Sequence, residues 1–223
     1  MRGTATEAPR SQTEMLSRLL AARLPSGDPR TIAVVGNAPL APSEERAAEV
    51  DASDLVVRMT TFDVDRDVPR SGARTDVAIV TRATAPGPAT FERYGDRVYL
   101  LAEPGRLHWE REEMPAWWPA DLGVVPISNA EFTRPLNTLL RFSPKSVTWA
   151  TTGTLAVWVM HSLFPAARIT LTGTSLLDAG AHRVTTLDHA WGASVPLTWE
   201  HRLSAERRAL RSWIRAGWLR VRS

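Results

Sequence analysis

The stretch Thr31–Asn37 reads TIAVVGN, and it decides the fold class of this chain. An unbroken run of apolar and β-branched residues, closed by Gly36-Asn37, predicts a short strand that is buried on both faces. Later runs of the same kind predict five further strands: LVVRM at Leu55–Met59, DVAIV at Asp76–Val80, RVYLLA at Arg97–Ala102, GVVPI at Gly123–Ile127 and RITLTG at Arg168–Gly173. Strands that are apolar throughout are typical of parallel sheets.

Helical patterns lie between most of these strands. Apolar spacing and capping residues predict helices at Ser11–Leu24, Pro42–Val50, Glu131–Phe142, Thr152–Phe164 and Ser204–Trp218. Strands alternating with helices predict one Rossmann-like α/β domain, with a mostly parallel sheet covered by helices on both faces. We expect residues 1–30 to form an N-terminal helix and leader, and residues 31–223 to form the domain.

Ligands bind in such folds at the carboxyl ends of the strands. The candidate loops therefore share one property, which is that each follows a predicted strand: they come after Gly36, Met59, Val80, Ala102 and Gly173.

The composition excludes several kinds of chemistry. The chain has 223 residues, a net charge of +3 and no cysteine, so disulfides, zinc–thiolate sites and thiol nucleophiles are excluded. Lys145 is the only lysine, and the arginines are scattered over most of the chain. We therefore expect no nucleic-acid partner.

The membrane signals are weak. Met1–Glu14 is polar and lacks the apolar core of a secretory signal, and the longest apolar run, Leu155–Met160, is too short to span a bilayer. We expect a cytoplasmic protein, with contact at the inner membrane face at most. Arginines concentrate near the C-terminus, at Arg202, Arg207, Arg208, Arg211, Arg215, Arg220 and Arg222. They indicate either a solvated helix face or a surface for anionic lipid or an anionic acceptor.

A tryptophan-rich segment shows neither the helical nor the strand period. It runs from Pro104 to Asp121 and contains Trp109, Trp117 and Trp118 among prolines and charges. A segment of this length indicates a surface excursion or lid. Its aromatic rings suit a platform for sugar rings, but core packing or a partner contact explains them equally well.

Two candidate features belong to the first two strands. Gly36 lets the backbone approach a phosphate, and Asn37 offers an amide there, although a plain turn has the same sequence and G-x-G-x-x-G is absent. Arg58 lies inside a buried strand and needs a partner, so we expect an ion pair with Asp51 or Asp54 that either shapes the loop or supports a site.

Three more candidates follow. Thr151-Thr152-Gly153-Thr154 opens an apolar helix, where it is either an anion site or an ordinary helix cap. His189 and His201 are candidates for general-base chemistry, and neither has the spacing of a helical metal site.

One sequence resembles a metal motif. Asp63-Val64-Asp65 has the D-x-D form found in many nucleotide-sugar transferases, but its charged loop indicates solvent exposure, and we predict no metal site.

The order of these features resembles glycosyltransferase family 29, the sialyltransferases. Val34–Met59, with VVGN and VDASDLVVRM, is similar to the large sialyl motif, and Ala150–Gly173 is similar to the small one. His189–Gly192 (HAWG) resembles the third motif, and His201–Glu206 (HRLSAE) fits the terminal H-x4-E motif. The compact bacterial members look closest in size and ending.

The resemblance implies a GT-A-type, inverting transferase that needs no metal or other cofactor. Its donor would be a CMP-activated, sialic-acid-like sugar, and its acceptor a glycan or glycolipid. The resemblance implies His201 as the general base, His189 as stabiliser of the leaving phosphate, and Glu206 as a third catalytic-site residue that supports the architecture. The donor nucleotide would be bound by Gly36, Asn37, Arg58, Thr60, Thr152, Gly153 and Gly173.

Two departures from the family pattern favour an alternative. Thr60 stands where the family usually has asparagine, and Gly192 stands where an acidic residue is common. They suggest a catalytically weak or inactive nucleotide-binding accessory protein on the same fold. A methyltransferase on a Rossmann-type fold is a third hypothesis, against which the absent glycine-rich loop argues.

Overall fold

The computed structural model describes residues 11–82, 84–103, 114–143, 145, 148–177, 186–190, 192, 194–196 and 201–223. A seven-stranded sheet forms its centre, with the strand order β5-β4-β3-β2-β1-β6-β9. The strands are β1 (Thr31–Val35), β2 (Leu55–Met59), β3 (Val77–Val80), β4 (Val98–Leu101), β5 (Val125–Pro126), β6 (Arg168–Thr172) and β9 (Leu219–Arg222). Every neighbouring pair in this sheet is parallel, which confirms the predicted fold class.

Five α-helices connect or flank the strands in the described residues: α1 (Gln12–Ala21), α2 (Glu44–Asp51), α3 (Arg134–Leu139), α4 (Thr152–Leu163) and α5 (Leu203–Arg215). A π-helical turn at Asn129–Thr133 leads into α3. The hydroxyls of Ser11 and Ser43 accept hydrogen bonds from N–H groups in the first turns of α1 and α2. These caps explain where both helices begin.

Alternate residues of the strands point to opposite faces of the sheet. One face, with Ile32 and Val34 from β1, packs in a large apolar core with α1, α4 and α5. The other face carries Ala33 and Val35, which pack with Val50 of α2. Helix α1 contributes Leu16 and Leu20 to the large core, so it packs with the domain. The division at residue 30 stays a prediction.

Three strands were not predicted. Strand β9 follows α5 and pairs with β6, and its sequence LRVR alternates apolar and charged residues, as an edge strand does. Strands β7 (Thr186–Asp188) and β8 (Ser194–Pro196) form a separate antiparallel pair. They are too short for periodicity to reveal.

The C-terminal arginines divide between two elements. Arg220 and Arg222 lie on β9 and form salt bridges with Glu49 and Glu45 of α2, so these two arginines do not belong to the face of a helix. Arg207 donates through Nε to the carbonyl of Leu176. Among the described residues, no helix combines the length and apolar character that a membrane crossing requires.

The described tryptophans of the 104–121 segment belong to a core. Trp118 is buried and donates through Nε1 to the carbonyl of Leu122 at 2.8 Å. Its ring meets Tyr99 and Phe91 edge-on, at centroid distances of 5.6 and 5.2 Å. Core packing therefore accounts for Trp118. Trp109 lies outside the described residues.

Candidate functional site

From β1 the chain adds β2 to β5 on one side of β1, and it then returns to add β6 on the other side. The strand order therefore reverses at β1. Ligands of open α/β sheets bind at such a switch point, beyond the carboxyl ends of the strands. A cavity of about 190 Å³ lies at this position. Its walls come from the ends of β1, β2 and β6, from the start of α4, and from residues 187–189 and 201.

Most of the predicted site residues line this cavity. Those that do are Gly36, Asn37, Thr60, Thr152, Gly153, Gly173, His189 and His201. The sequence placed them far apart, and the fold brings them together. The spatial proximity of the Asn37 turn, the α4 terminus and both histidines is thus found in the structure. Their chemical roles stay predictions.

The Asn37 turn connects three parts of the cavity wall. The side-chain amide of Asn37 donates through Nδ2 to the carbonyl of Met59 at 3.0 Å, which joins the turn to the end of β2. The carbonyl of Asn37 accepts from the N–H of Ala190 at 2.9 Å, which joins it to the His189 segment. The side chain of Asn37 is therefore bound to the end of β2, and its backbone is bound to the His189 segment.

Thr60 has an unusual backbone conformation. Its φ is 56°, in the left-handed region that β-branched residues rarely adopt. The N–H of Thr60 donates to Ile79 at 2.6 Å, and its carbonyl accepts from the Thr90 hydroxyl at 3.1 Å, so neighbouring strands and loops hold this conformation. Backbone strain of this kind concentrates at functional sites.

The N-terminus of α4 presents free donors to the cavity. Thr151 caps the helix, and its hydroxyl accepts from the N–H of Thr154. Within the described part of the chain, the N–H groups of Thr152 and Gly153 have no hydrogen-bond partner. Free N–H groups at the positive end of a helix dipole bind anions.

Glu206 lies beneath this helix terminus and does not line the cavity. Its side chain is fully buried, and its Oε2 accepts from the N–H of Thr151 at 3.0 Å and from the hydroxyls of Thr151 and Thr154 at 2.6 and 2.5 Å. Its Oε1 has no partner among the described atoms. The geometry gives Glu206 a supporting contact with α4 and no path to a ligand.

The two histidines make different contacts through Nδ1. His201 Nδ1 lies 3.3 Å from the carbonyl of Trp149, which can only accept, so Nδ1 carries a proton and Nε2 of the neutral ring is a base. His189 Nδ1 lies 3.3 Å from the hydroxyl of Thr61. Burial lowers the pKa of His189, and the carboxylate of Asp188 opposes this effect.

Arg58 differs from its prediction. It does not line the main cavity, and it forms no ion pair with Asp51 or Asp54. Its buried guanidinium donates instead to carbonyls of the Ser71–Arg74 loop, including Ser71 at 2.8 Å and Gly72 at 2.7 Å. Burial lowers the pKa of Arg58 to about 10. The carbonyls solvate the charge, so no carboxylate contact is required.

The two aspartates expected to pair with Arg58 accept hydrogen bonds from backbone N–H groups instead. Asp51 accepts from the N–H groups of Ala73 and Arg74, and Asp54 accepts from those of Arg30 and Thr31. The hydrogen bonds from the N–H groups of Arg30 and Thr31 lower the pKa of Asp54.

The two aspartates of the D-x-D sequence accept hydrogen bonds from backbone N–H groups of their own loop. One carboxylate oxygen of Asp65 accepts from the N–H groups of Arg70, Ser71 and Gly72 at 2.6 to 2.7 Å. Asp63 accepts from the N–H of Val64. Across the ranges that the structure describes, no group of three or more histidine and acidic residues is arranged to hold a metal ion.

A second cavity of about 420 Å³ adjoins the first. Both are lined by Ala38, Gly173, Thr174, Ser175 and Asp188. Pro39 and Leu40 add an apolar wall, and the buried Arg46 closes one end by donating to the carbonyls of Ala41, Arg70 and Ser223. The two cavities therefore share a wall that includes the end of β6 and Asp188.

Several residues that line the first cavity were not predicted from the sequence. They are Thr61, Thr84, Thr174, Ser175 and Asp188, and most carry hydroxyl groups. Position after a predicted strand was a usable signal for Thr61 and for Thr174-Ser175. No arginine or lysine lines the cavity among the described residues, so N–H groups and imidazole rings are the groups there that can bind an anion.

The comparisons with known proteins support the fold. No protein-family model matches the sequence, and a search of curated proteins finds no significant match. Among solved structures, a mammalian sialyltransferase has a TM-score of 0.59 and 16% identity, over 97% of this chain and 81% of that one. A mammalian sialyltransferase in complex with Gal-beta-1-3GalNAc-ortho-nitrophenol has a TM-score of 0.57 at the same identity and coverage.

At this identity the likeness concerns the fold alone. It confirms that the chain has a sialyltransferase-like α/β fold. Both neighbours are mammalian, so the expected likeness to compact bacterial members is not supported by them.

Proposed function

We propose that this protein is a glycosyltransferase of the sialyltransferase kind. It would transfer a sialic-acid-like sugar from a CMP-activated donor to a hydroxyl of a glycan or glycolipid. The observation that carries the proposal is the single cavity that gathers the Asn37 turn, the start of α4 and both histidines on a sialyltransferase-like fold.

The charge of the cavity suits one phosphate group. The N–H groups of Thr152 and Gly153 supply donors, while Asp188 is the only acidic residue among the described lining residues. A nucleoside monophosphate has less charge to neutralise than a diphosphate, so fixed donors and a histidine suffice. This supports a CMP-linked donor and a reaction that does not require a metal.

The reaction would be one in-line displacement that inverts the anomeric centre. His201 Nε2 takes the proton from the acceptor hydroxyl, because Nδ1 is occupied with the carbonyl of Trp149. The acceptor oxygen bonds to the anomeric carbon as its bond to the phosphate oxygen breaks. CMP leaves with that electron pair, and His189 donates a hydrogen bond to the departing phosphate.

The second cavity supports a two-substrate reaction. It opens from the first at Gly173 and Asp188, and its Thr186 and Asp188 offer oxygen acceptors for sugar hydroxyls. Leu40 and Pro39 offer an apolar wall for a sugar ring. A glycan is therefore our proposed acceptor. Cytoplasmic location and peripheral membrane contact stay predictions from the sequence.

The alternative is a nucleotide-binding accessory protein without turnover. Thr60 favours it, because its threonine side chain replaces the family asparagine in the cavity. Gly192 also favours it: its φ is 89°, and its N–H closes a turn onto the carbonyl of His189. An acidic residue at that position would be strained, so the usual acidic group is not accommodated without changing the turn.

A ligand screen and one variant test the proposal. The purified protein is screened by thermal shift with CMP, CDP, UDP and GDP compounds, and CMP-sugar turnover is measured with and without glycans. We expect stabilisation by CMP compounds and turnover of the CMP-sugar. His201→Ala should abolish turnover and leave CMP affinity within about twofold. His161→Phe, outside the cavity, is the matched control and should keep both.

The results separate the transferase from the accessory function and test the role of His201 as the base. CMP binding without turnover by the wild-type protein would support the accessory function. Turnover that persists in His201→Ala would remove the assignment of the base. A folded protein that binds no cytidine nucleotide would overturn both.

A further inference from the structure

Thr61 lies between Asn37 and His189 in the wall of the first cavity. Its side chain is buried in the cavity wall, with 6% of its surface exposed. The Thr61 oxygen is 3.5 Å from Nδ2 of Asn37 and 3.3 Å from Nδ1 of His189. These contacts form a chain from the end of β2, through Thr61, to the imidazole.

The donor and acceptor capacities fix the first step of this chain and permit Thr61 to donate in the second. The amide nitrogen of Asn37 can only donate, and its N–H groups reach the Met59 carbonyl at 3.0 Å and, more weakly, the Thr61 oxygen. The Thr61 oxygen accepts on that side and keeps its own proton available, and we assign that proton to the contact with His189 Nδ1. A nitrogen that accepts a hydrogen bond carries no proton, so the proton of the neutral imidazole lies on Nε2.

We propose that Thr61 is a positioning residue that holds His189 in the tautomer with its proton on Nε2. The inference rests on the proposed function, in which His189 donates to the departing phosphate. It explains how one cavity contains two histidines in opposite states. The carbonyl of Trp149 makes Nε2 of His201 an acceptor, and the hydroxyl of Thr61 makes Nε2 of His189 a donor.

The surroundings of His189 favour the neutral ring on which this assignment depends. Burial lowers its pKa, with Asp188 acting in the opposite direction. The titratable residues beside it are Asp188 on β7 and His201 across the cavity, and no lysine or arginine lines that cavity among the described residues. A neutral imidazole has only one N–H, so the choice of tautomer decides whether it can donate.

The test uses Thr61→Val, which keeps the shape and removes the hydroxyl, and Thr61→Ser, which keeps the hydroxyl. The tautomer is read by ¹⁵N NMR of the imidazoles in the full chain without ligand, with His189→Gln assigning the signal. In the wild type and Thr61→Ser we expect an unprotonated Nδ1 and a protonated Nε2. In Thr61→Val we expect both tautomers, and about a tenfold lower kcat with an unchanged KM for the CMP-sugar.

The measurements separate this inference from the proposed function. The NMR assignment needs no donor and no turnover, so it stands or fails even if the protein binds no CMP compound. An unchanged His189 spectrum in Thr61→Val would overturn the role of Thr61. A protonated Nδ1 in the wild type would overturn it too. Thermal unfolding checks that each variant folds, and Thr61→Ala replaces Thr61→Val if the latter does not.

Discussion

Gly36 and Gly173 meet face to face at the ends of β1 and β6. A Cβ atom on Gly36 would lie 2.9 Å from the carbonyl carbon of Gly173, and one on Gly173 would lie 2.5 Å from the carbonyl oxygen of Gly36. The N–H of Ala38 donates to the Gly173 carbonyl at 2.9 Å. This close approach of two backbones forms the floor of the candidate site.

We expect alanine at either glycine to destabilise the protein by about 2 kcal/mol or more, because backbone atoms must move to admit the Cβ. Gly173 carries a second cost, since its φ of 64° disfavours a side chain. CMP affinity should fall with stability, because the same turns line the cavity. Urea unfolding and calorimetry measure both effects.

Gly123→Ala is the matched control for these two variants. A Cβ at Gly123 meets no atom within 4 Å, and its φ lies outside the left-handed region. Its stability should be unchanged or slightly higher, through the reduced freedom of the unfolded chain. Equal losses in all three variants would contradict the argument from close approach.

The fold was predictable because the central strands are apolar throughout. LVVRM is buried from end to end and TIAVV is buried from its second residue, and periodicity finds such runs without knowledge of contacts. The edge strand β9 was not predicted, because its arginines continue the arginine-rich pattern of the preceding helix. Its pairing with β6 is a long-range contact that the sequence pattern does not contain. Short elements such as β7 are fixed by tertiary packing that a sequence pattern does not contain.

The site was predictable where a motif marks it and unpredictable where only contacts do. Asn37 and His201 stand in motifs with a recognisable order. Thr61 has no such mark, and its importance appears only through its distances to Asn37 and His189. Arg58 shows the converse, because its expected ion pair was replaced by backbone carbonyls that no sequence pattern reveals.

Thr60→Asn is predicted to stabilise the protein by about 1 kcal/mol. Asparagine tolerates the left-handed region better than a β-branched residue does, and φ at Thr60 is 56°. Denaturant unfolding measures the change. Arg93→Asn is the comparison at an exposed position with a φ of 51°, and it should gain less because arginine is not β-branched. A loss of stability in Thr60→Asn would mean that the threonine side chain contributes more than the strain costs.

Glu206→Ala is predicted to destabilise the protein by about 3 kcal/mol. It would leave the N–H of Thr151 and two buried hydroxyls without their acceptor. Glu206→Gln keeps one oxygen in place and should cost less. Thermal unfolding measures both variants, and hydrogen exchange at the first turn of α4 tests whether the loss begins there. If Glu206→Gln were the more damaging change, the negative charge rather than the acceptor would be the stabilising feature.

Protonation of His161 should make the stability of the protein depend on pH. Its ring stacks on Trp218 with centroids 3.7 Å apart, its Nδ1 is buried without a described partner, and burial lowers its pKa. The unfolded chain therefore takes up a proton near pH 6.5, before the folded state does, and stability falls as the pH drops through that range.

His161→Phe keeps the stacking and removes the titration. Its Tm advantage over the wild type should grow from pH 7.5 to pH 5.5. Some pH dependence should remain, because the pKa of His189 is lowered as well. Ser162→Ala, next in the same helix, titrates nothing and should shift Tm equally at every pH. A Tm difference for His161→Phe that did not vary with pH would show that protonation of His161 is not linked to unfolding.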